Sequence, residues 1–185
     1  MVLDAGDSLV GDQNPALKTK GQTSITAMNM MSYTAMALGP KDLGLGAAVL
    51  SQRIAEANFA VLSANAVVSA TGQLVARPYL IQDIDGHKVA IIGLSAGRLP
   101  DIVVRDPLAT AQTVVAEVSK QADVIILLSH AGATVDQQIA DTVEGIDLIV
   151  SGDKPVLATP WQSQKTKTLI VRADAALPGH AGRAI

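Results

Sequence analysis

Four strand-length apolar runs in this chain each stop at a polar loop that carries glycine, and that repetition narrows the folds open to it. Val2-Leu3 stops at Gly6-Asp7, and Tyr33–Leu38 stops at Gly39-Pro40-Lys41-Asp42. Asp123–Ser129 stops at His130-Ala131-Gly132, and Ile146–Val150 stops at Ser151-Gly152-Asp153-Lys154-Pro155. Near-continuous apolar runs of this length mark strands buried on both faces, as in parallel sheets covered by helices. Ligands of such sheets gather where the strands end at their carboxyl side. If the four runs lie in one parallel sheet, then Asp7, Lys41, Asp42, His130, Asp153 and Lys154 share an edge. Each also has an ordinary reading: Asp beside Gly is turn chemistry, and a Lys-Asp pair in a loop is commonly a solvated ion pair. The recurrence at one topological position is what points to a site.

The composition agrees with a helix-covered sheet. The apolar fraction is 49% and the aromatic fraction 2%, so Val, Ile, Leu, Ala and Met must fill the core. At 185 residues the chain suits one domain spanning 1–185. A net charge of -3 and the lack of any basic stripe with interleaved aromatics argue against a nucleic-acid partner. With no cysteine, disulfides, thiolate metal sites and a cysteine nucleophile are excluded. The longest apolar runs, such as Val124–Leu128, are strand-sized, so no membrane span is expected. No basic segment of a secretory signal opens the chain, and its localisation stays undecided. The abrupt opening on strand-like sequence and the closing Gly182–Ile185 read as a fold truncated at both ends.

Between these runs the patterning alternates. Asp12–Gly21 reads as a polar excursion, and Thr23 or Ser24 as the cap of a helix through Ile25, Met28, Asn29 and Met31, its methionines on one buried face. A helix is expected over Ala47–Ala57 and a strand over Phe59–Ala64. Tyr79–Ile84 and Lys88–Leu94 flank Asp85-Gly86, a two-residue hairpin signal. Asp106-Pro107 opens a helix through Ala122, with proline at its first position. A helix over Val135–Val143 and strands at Thr168–Ala173 and Gly182–Ile185 complete the reading, with Ile102–Val104 extended. His87 and His180 are expected at the surface.

The order of several motifs then carries a resemblance. Leu3-Asp4-Ala5-Gly6-Asp7, Ala27 to Gly39 (AMNMMSYTAMALG), Leu62-Ser63-Ala64-Asn65, Ile84 to Leu94 (IDGHKVAIIGL), Ile126 to Gly132 (ILLSHAG) and Gly145 to Gly152 (GIDLIVSG) follow one another. In that order they resemble the bacterial 5′-nucleotidase family of calcineurin-like metallophosphoesterases. The resemblance covers nearly the whole chain. It implies an α/β fold of metallophosphoesterase type, a four-layer αββα sandwich, with two metal ions at the strand ends activating water against a phosphate ester.

By the same resemblance, Asp7 matches the aspartate that bridges the two metals, and His130 matches a metal-ligating histidine. Where the family has Gly-Asn-His-Glu or Gly-Asn-His-Asp, this chain has Gly39-Pro40-Lys41-Asp42, so Lys41 and Asp42 occupy the catalytic loop without its imidazole. Where the family has Gly-His-x-His, it has Gly152-Asp153-Lys154-Pro155, leaving Asp153 as a weak oxygen donor. The family's Asp-x-His would precede residue 1. Lys41 and Lys154 stand where they can neutralise Asp7, Asp42 and Asp153 and hold a phosphate or nucleotide-like anion. No cofactor is expected on this reading; a divalent ion (Mn, Zn or Fe) belongs only to an active site. Three functions stay open: a divergent phosphoesterase-like domain with lost or altered hydrolysis that keeps anion binding, an active hydrolase whose first metal motif lies upstream, and a structural module of a larger parent chain. Family members are usually periplasmic or extracellular and often carry a further, substrate-recognising domain.

Overall fold

A computed structural model describes residues 1–10, 14–153 and 159–172. In chain order the elements are β1 (Leu3–Asp4), α1 (Asn14–Lys18), α2 (Gln22–Met30), β2 (Ala35–Ala37), α3 (Pro40–Leu43), α4 (Ala47–Glu56) and β3 (Ala60–Leu62). Then come β4 (Ala66–Val68), β5 (Tyr79–Ile84), β6 (His87–Leu94), β7 (Ile102–Val104), α5 (Pro107–Val118) and β8 (Val124–Ser129). The last are α6 (Ala133–Thr142), β9 (Leu148–Ser151), β10 (Trp161–Gln162) and β11 (Leu169–Arg172).

The apolar runs build two stacked sheets rather than one. β1-β2-β3 form a small parallel sheet, and β10-β11-β9-β8-β6-β5 a larger one whose inner strands are parallel. A short antiparallel pair, β4 with β7, stands apart. Side-chain alternation explains the stacking. In β8, Ile126 and Leu128 join β2 and β3 in the layer between the sheets, whereas Ile125 and Leu127 meet α5 and α6 on the outer face. In β6, Val89 and Ile91 face inward to the other sheet, and Ala90, Ile92 and Leu94 face the helices. On the far side, Met36 and Val61 pack with Ile25, Met28, Leu43 and Leu50 of α2, α3 and α4. The four layers are therefore helix, sheet, sheet, helix. Among the described residues no helix is long and apolar enough to cross a membrane.

Small residues let the two sheets close. Ala35, Ala37 and Ala60 line the seam, and Gly93 continues the inward-facing series of β6. A methyl group on Gly93 would lie 2.6 Å from the backbone of Leu62, so β6 and β3 approach too closely here for any side chain. The Gly93 carbonyl accepts from Ala64 N–H at 2.8 Å, fastening the sheets together.

Several expectations shift. The excursion at 12–21 holds the five-residue α1. The α2 helix starts from Gly21 at φ 84°, with no side-chain cap from Thr23 or Ser24. Of its methionines only Met28 is buried; Met30, two residues on, lies on the opposite face, and Met31 falls beyond the end of the helix. The run at Tyr33–Leu38 pairs only over Ala35–Ala37, and that at Phe59–Ala64 over Ala60–Leu62, since a separate strand begins at Ala66. The hairpin at Asp85-Gly86 pairs as expected, Ile84 with His87. Asp106 caps α5 through a bond from Ala109 N–H to its Oδ1 at 2.7 Å, with Pro107 in the first turn, and the helix stops at Val118 rather than Ala122. Gly182–Ile185 lies outside the described residues.

Gly93→Ala is expected to destabilise the protein by about 1–3 kcal/mol, the usual cost of forcing an extra methyl into a packed layer. Urea unfolding measures it; an unchanged midpoint would mean that the seam is looser than this.

Candidate functional site

The sheets are stacked with the carboxyl ends of their parallel strands on the same side. The loop after β1 presents Asp7, the loop after β2 presents Lys41, and the loops after β8 and β9 present His130 and Asp153. The edge is thus shared across two sheets instead of along one. His130 Nε2 stands 3.3 Å from Asp7 Oδ2, a contact between residues of different sheets.

The Asp7 loop is shaped by close packing. Gly6 has φ +103°, and a methyl there would sit 2.7 Å from Gly39 N, so neither the backbone angle nor the space admits a side chain. Asp7 itself is in the left-handed region, at φ 65°. Its Oδ1 accepts the Lys41 backbone N–H at 2.7 Å. Gly39 keeps room for that carboxylate: a methyl on it would fall 2.2 Å from Asp7 Oδ1.

Asp42 turns away from this edge. It is fully buried, and its carboxylate accepts backbone N–H groups from Asp7 at 2.7 Å, Gly39 at 3.0 Å and Leu9 at 2.9 Å. Burial outweighs those bonds and pushes its carboxyl up to about 6. Asp42 is therefore the clasp between two loops, not a group facing a ligand. Asp4 has a similar local duty, accepting from Gly6 N–H at 2.8 Å and Ser8 Oγ at 2.7 Å, with burial raising its carboxyl.

His130 is held from both sides. Its Nδ1 donates to the Ala5 carbonyl at 2.9 Å, which fixes the tautomer and turns Nε2 toward Asp7. A methyl on Gly152 would lie 2.6 Å from that Nδ1 and 2.5 Å from the Ala5 oxygen, so glycine is required beside the ring. Burial pushes the imidazole down, but the bonds to Asp7 and the Ala5 carbonyl, with the charges of Asp7 and Asp153, raise it overall. Burial likewise pushes Asp7 up, but His130 and the Lys41 N–H outweigh it and lower the carboxyl. The two partners move in opposite directions, as an ion pair does.

Asp153 lies at the rim near Gly132, where a methyl would come 3.5 Å from its Oδ2. Lys41 is exposed, and its charge also acts on Asp7. Lys154 and Pro155 lie outside the described residues. Asp7 and His130 supply donors of the kind that Mn, Zn or Fe accept. Among the described residues, however, no group of three His, Cys, Asp or Glu side chains is placed to hold a metal ion. That donor set does not fit a binuclear centre.

Reading the sequence missed what lies under His130. Ser129, Ser151 and Arg172 end three neighbouring strands and converge with the fully buried Asp136 of α6. The register of paired strands, with serine closing both β8 and β9, is the signal that would have found them.

No protein-family model matches the chain. Individual proteins do. The chain is 35% identical to the NAD 5′-nucleotidase of Haemophilus influenzae over 85% of its own length and 28% of that protein. It is 31% identical to the trifunctional nucleotide phosphoesterase protein YfkN of Bacillus subtilis, over 94% of its length and 15% of that protein. The solved structure of the Haemophilus influenzae NAD nucleotidase superposes on 94% of this chain and 36% of its own, with TM-score 0.78 and 27% identity. That of the calcineurin-like phosphoesterase YfkN covers 81% of this chain and 57% of its own, with TM-score 0.69 and 26% identity. The chain belongs to the 5′-nucleotidase family of calcineurin-like phosphoesterases. It spans less than a third of the length of either curated relative. Within this 5′-nucleotidase fold, the aspartate and histidine singled out by the motifs are the pair in contact across the sheets.

The pair carries a pH signature. His130 is raised from its ordinary 6.5, so its stabilisation is complete below that value and lost as pH rises through the folded pKa. Asp7 is lowered from 3.8, so its share is present above that value and lost as pH falls. The stability difference between the wild type and His130→Gln is therefore largest from about pH 4 to 6.5 and shrinks toward pH 9. A largely buried pair, 7% exposed at His130 and 22% at Asp7, contributes about 1.5–3 kcal/mol as a hydrogen bond between charged groups, or about 3–12 °C in Tm. Thermal unfolding of both proteins in chelator-containing buffers measures it, and a pH-independent difference would show that no ion pair forms.

Proposed function

We propose that this domain holds a phosphate-bearing or nucleotide-like anion at the shared strand ends and has lost the metal-assisted hydrolysis of its family. The observation that carries this reading is the use made of Asp7. Its two carboxylate oxygens are those a bridging ligand would give to a pair of metal ions, and both meet protein donors: the Lys41 N–H at 2.7 Å and His130 Nε2 at 3.3 Å. Pro40, which offers no donor side chain, stands next to Lys41 where the family carries an asparagine ligand and a histidine. Lys41 and the protonated form of His130 then provide the positive charge that an anion requires. Asp7 and Asp153 keep that charge from being excessive and bias the site toward ligands that are hydrogen-bonded as well as charged.

A second reading is favoured by a separate fact. Because the chain spans 28% of the NAD 5′-nucleotidase and 15% of YfkN, further donors can come from parts of a longer protein, and Asp7 and His130 would then serve an active phosphoester hydrolase. On that reading they would hold a divalent ion, which would activate water against the ester.

The two readings part in one set of measurements on the 185-residue chain. With AMP or a chromogenic phosphate ester and added Mn, Co or Zn, no turnover above that of His130→Ala is expected. Inorganic phosphate or AMP at saturation is expected to raise Tm by about 5 °C, and Lys41→Ala to abolish most of that rise. Turnover that disappears in both Asp7→Ala and His130→Ala would overturn the proposal in favour of the hydrolase. Neither turnover nor a thermal shift would leave the domain as a structural module.

A further inference from the structure

A charged network with no part in either reading lies directly beneath the loops that carry His130 and Asp153. β8, β9 and β11 are adjacent parallel strands, and their last residues stand in one register row: Ser129 opposite Ser151, and Ser151 opposite Arg172. Asp136, from the first turn of α6, reaches into that row and is fully buried, as is Ser129; Ser151 is 2% exposed and Arg172 5%. Ser129 Oγ donates to Asp136 Oδ1 at 2.5 Å, and Ser151 Oγ donates to Asp136 Oδ2. The Arg172 guanidinium donates to Ser151 Oγ through Nε at 3.0 Å and a terminal nitrogen at 2.6 Å, and that nitrogen is 3.6 Å from Asp136 Oδ2.

Taking a carboxylate and a guanidinium out of water is costly, and apolar residues of similar volume would serve stability as well or better. What this arrangement supplies is position. Both oxygens of Asp136 are used, one on each strand end, so a single rigid group sets the spacing of β8 and β9 where they leave the sheet. From there the geometry runs to the site in one step. Ser129 Oγ also accepts the Ala131 N–H at 3.2 Å, bracketing His130 between two residues tied to the same hydroxyl. The Gly152 N–H donates to the Ser129 carbonyl at 2.8 Å, and His130 N–H to the Leu94 carbonyl at 2.9 Å. Gly152 in turn abuts the imidazole, and its neighbour is Asp153.

We infer that Asp136, acting through Ser129 and Ser151 and anchored by Arg172, is a positioning residue that holds the His130 ring and the Gly152-Asp153 loop in register with Asp7. The inference takes His130 and Asp153 as site residues, as the proposed function does, but it does not require that any ligand bind or any ester be hydrolysed.

The test reads the His130 ring itself. Imidazole ¹H–¹⁵N spectra are recorded at one pH with a chelator present, and the His130 signals are assigned by their loss in His130→Gln. In Ser129→Ala and in Asp136→Asn the His130 signals are expected to move toward those of the exposed His87. Exchange of the Ala131 and Gly152 amides is expected to quicken at least 10-fold relative to the strand amides of β6. Ser129→Thr, which keeps the hydroxyl, is expected to restore both. Gly86→Ala, strained in the β5–β6 hairpin at φ +85° and at the end of β6 away from Leu94, should leave the His130 signals in place, which separates positioning from general loss of stability. If Asp136→Asn does not fold, Ser129→Ala, which removes one hydroxyl, decides alone. Unchanged His130 signals and amide protection in a folded Ser129→Ala protein would overturn the inference. Failure to bind phosphate would sink the proposed function and leave this result standing.

Discussion

The site depends on one buried carboxylate that takes no part in its chemistry. Asp42 accepts three backbone N–H groups, from its own loop and from the loop that carries Asp7. In return, Asp7 accepts the N–H of Lys41, the residue before Asp42. The two loops are clasped by bonds running in both directions, across about 35 residues of sequence. Three N–H dipoles aimed at one carboxylate offset much of the cost of burying it, yet burial still raises its proton affinity. The left-handed backbone of Asp7 and the absence of side chains at Gly6 and Gly39 follow from that clasp: the loops are too close for anything larger.

The clasp orders one sheet, but the candidate site exists because the second sheet is near enough to deliver His130. That nearness traces back to composition. With few aromatic residues to fill it, the layer between the sheets is built from alanine, valine, leucine and isoleucine, with glycine at position 93. A layer this thin brings the strand ends of both sheets within hydrogen-bond reach. His130 Nδ1 then bonds a carbonyl of the opposite sheet's loop, and Gly152 closes behind it. Sheet packing and site geometry are thus one problem: a larger residue at the seam would separate Asp7 from His130 before it disturbed either loop.

How much of this was legible differs by scale. The buried strands, the Asp85-Gly86 hairpin and the Asp106 cap could be read because each rests on local patterning that the packing reinforces. The αββα layering came from resemblance, since apolar runs do not say which sheet they join; the four loops were read onto one edge of one sheet, and they come from two. The start of α2 was misread because Thr23 and Ser24 are good capping residues, while the chain uses the backbone of Gly21. Asp7 and His130 were identified by motif, but their contact could not be, for it depends on the distance between sheets. Asp42 was grouped with the ligand-facing residues because its position in the loop is the same whether its side chain points outward or inward. The Asp136 network was missed for a related reason: serines at strand ends look like turn residues until register places them side by side.

The histidine poses the sharper chemical question. A ring whose Nδ1 is tied to a carbonyl offers Nε2 to whatever lies in front of it, and this is the same arrangement that orients a metal-binding histidine. Here the group in front is the Asp7 carboxylate, which stabilises a proton on Nε2 and raises the ring's affinity for it. A proton and a divalent cation compete for that one nitrogen, and for the Asp7 oxygen beside it. Two further donors at fixed geometry would favour the cation; in the neighbouring loop Pro40 has no donor side chain, and Lys41 supplies an N–H and a positive charge instead. The same backbone geometry therefore serves either a metal ligand or an imidazolium ion. On the proposed reading, the positive charge of the loop after β2, rather than the placement of His130, favours the proton.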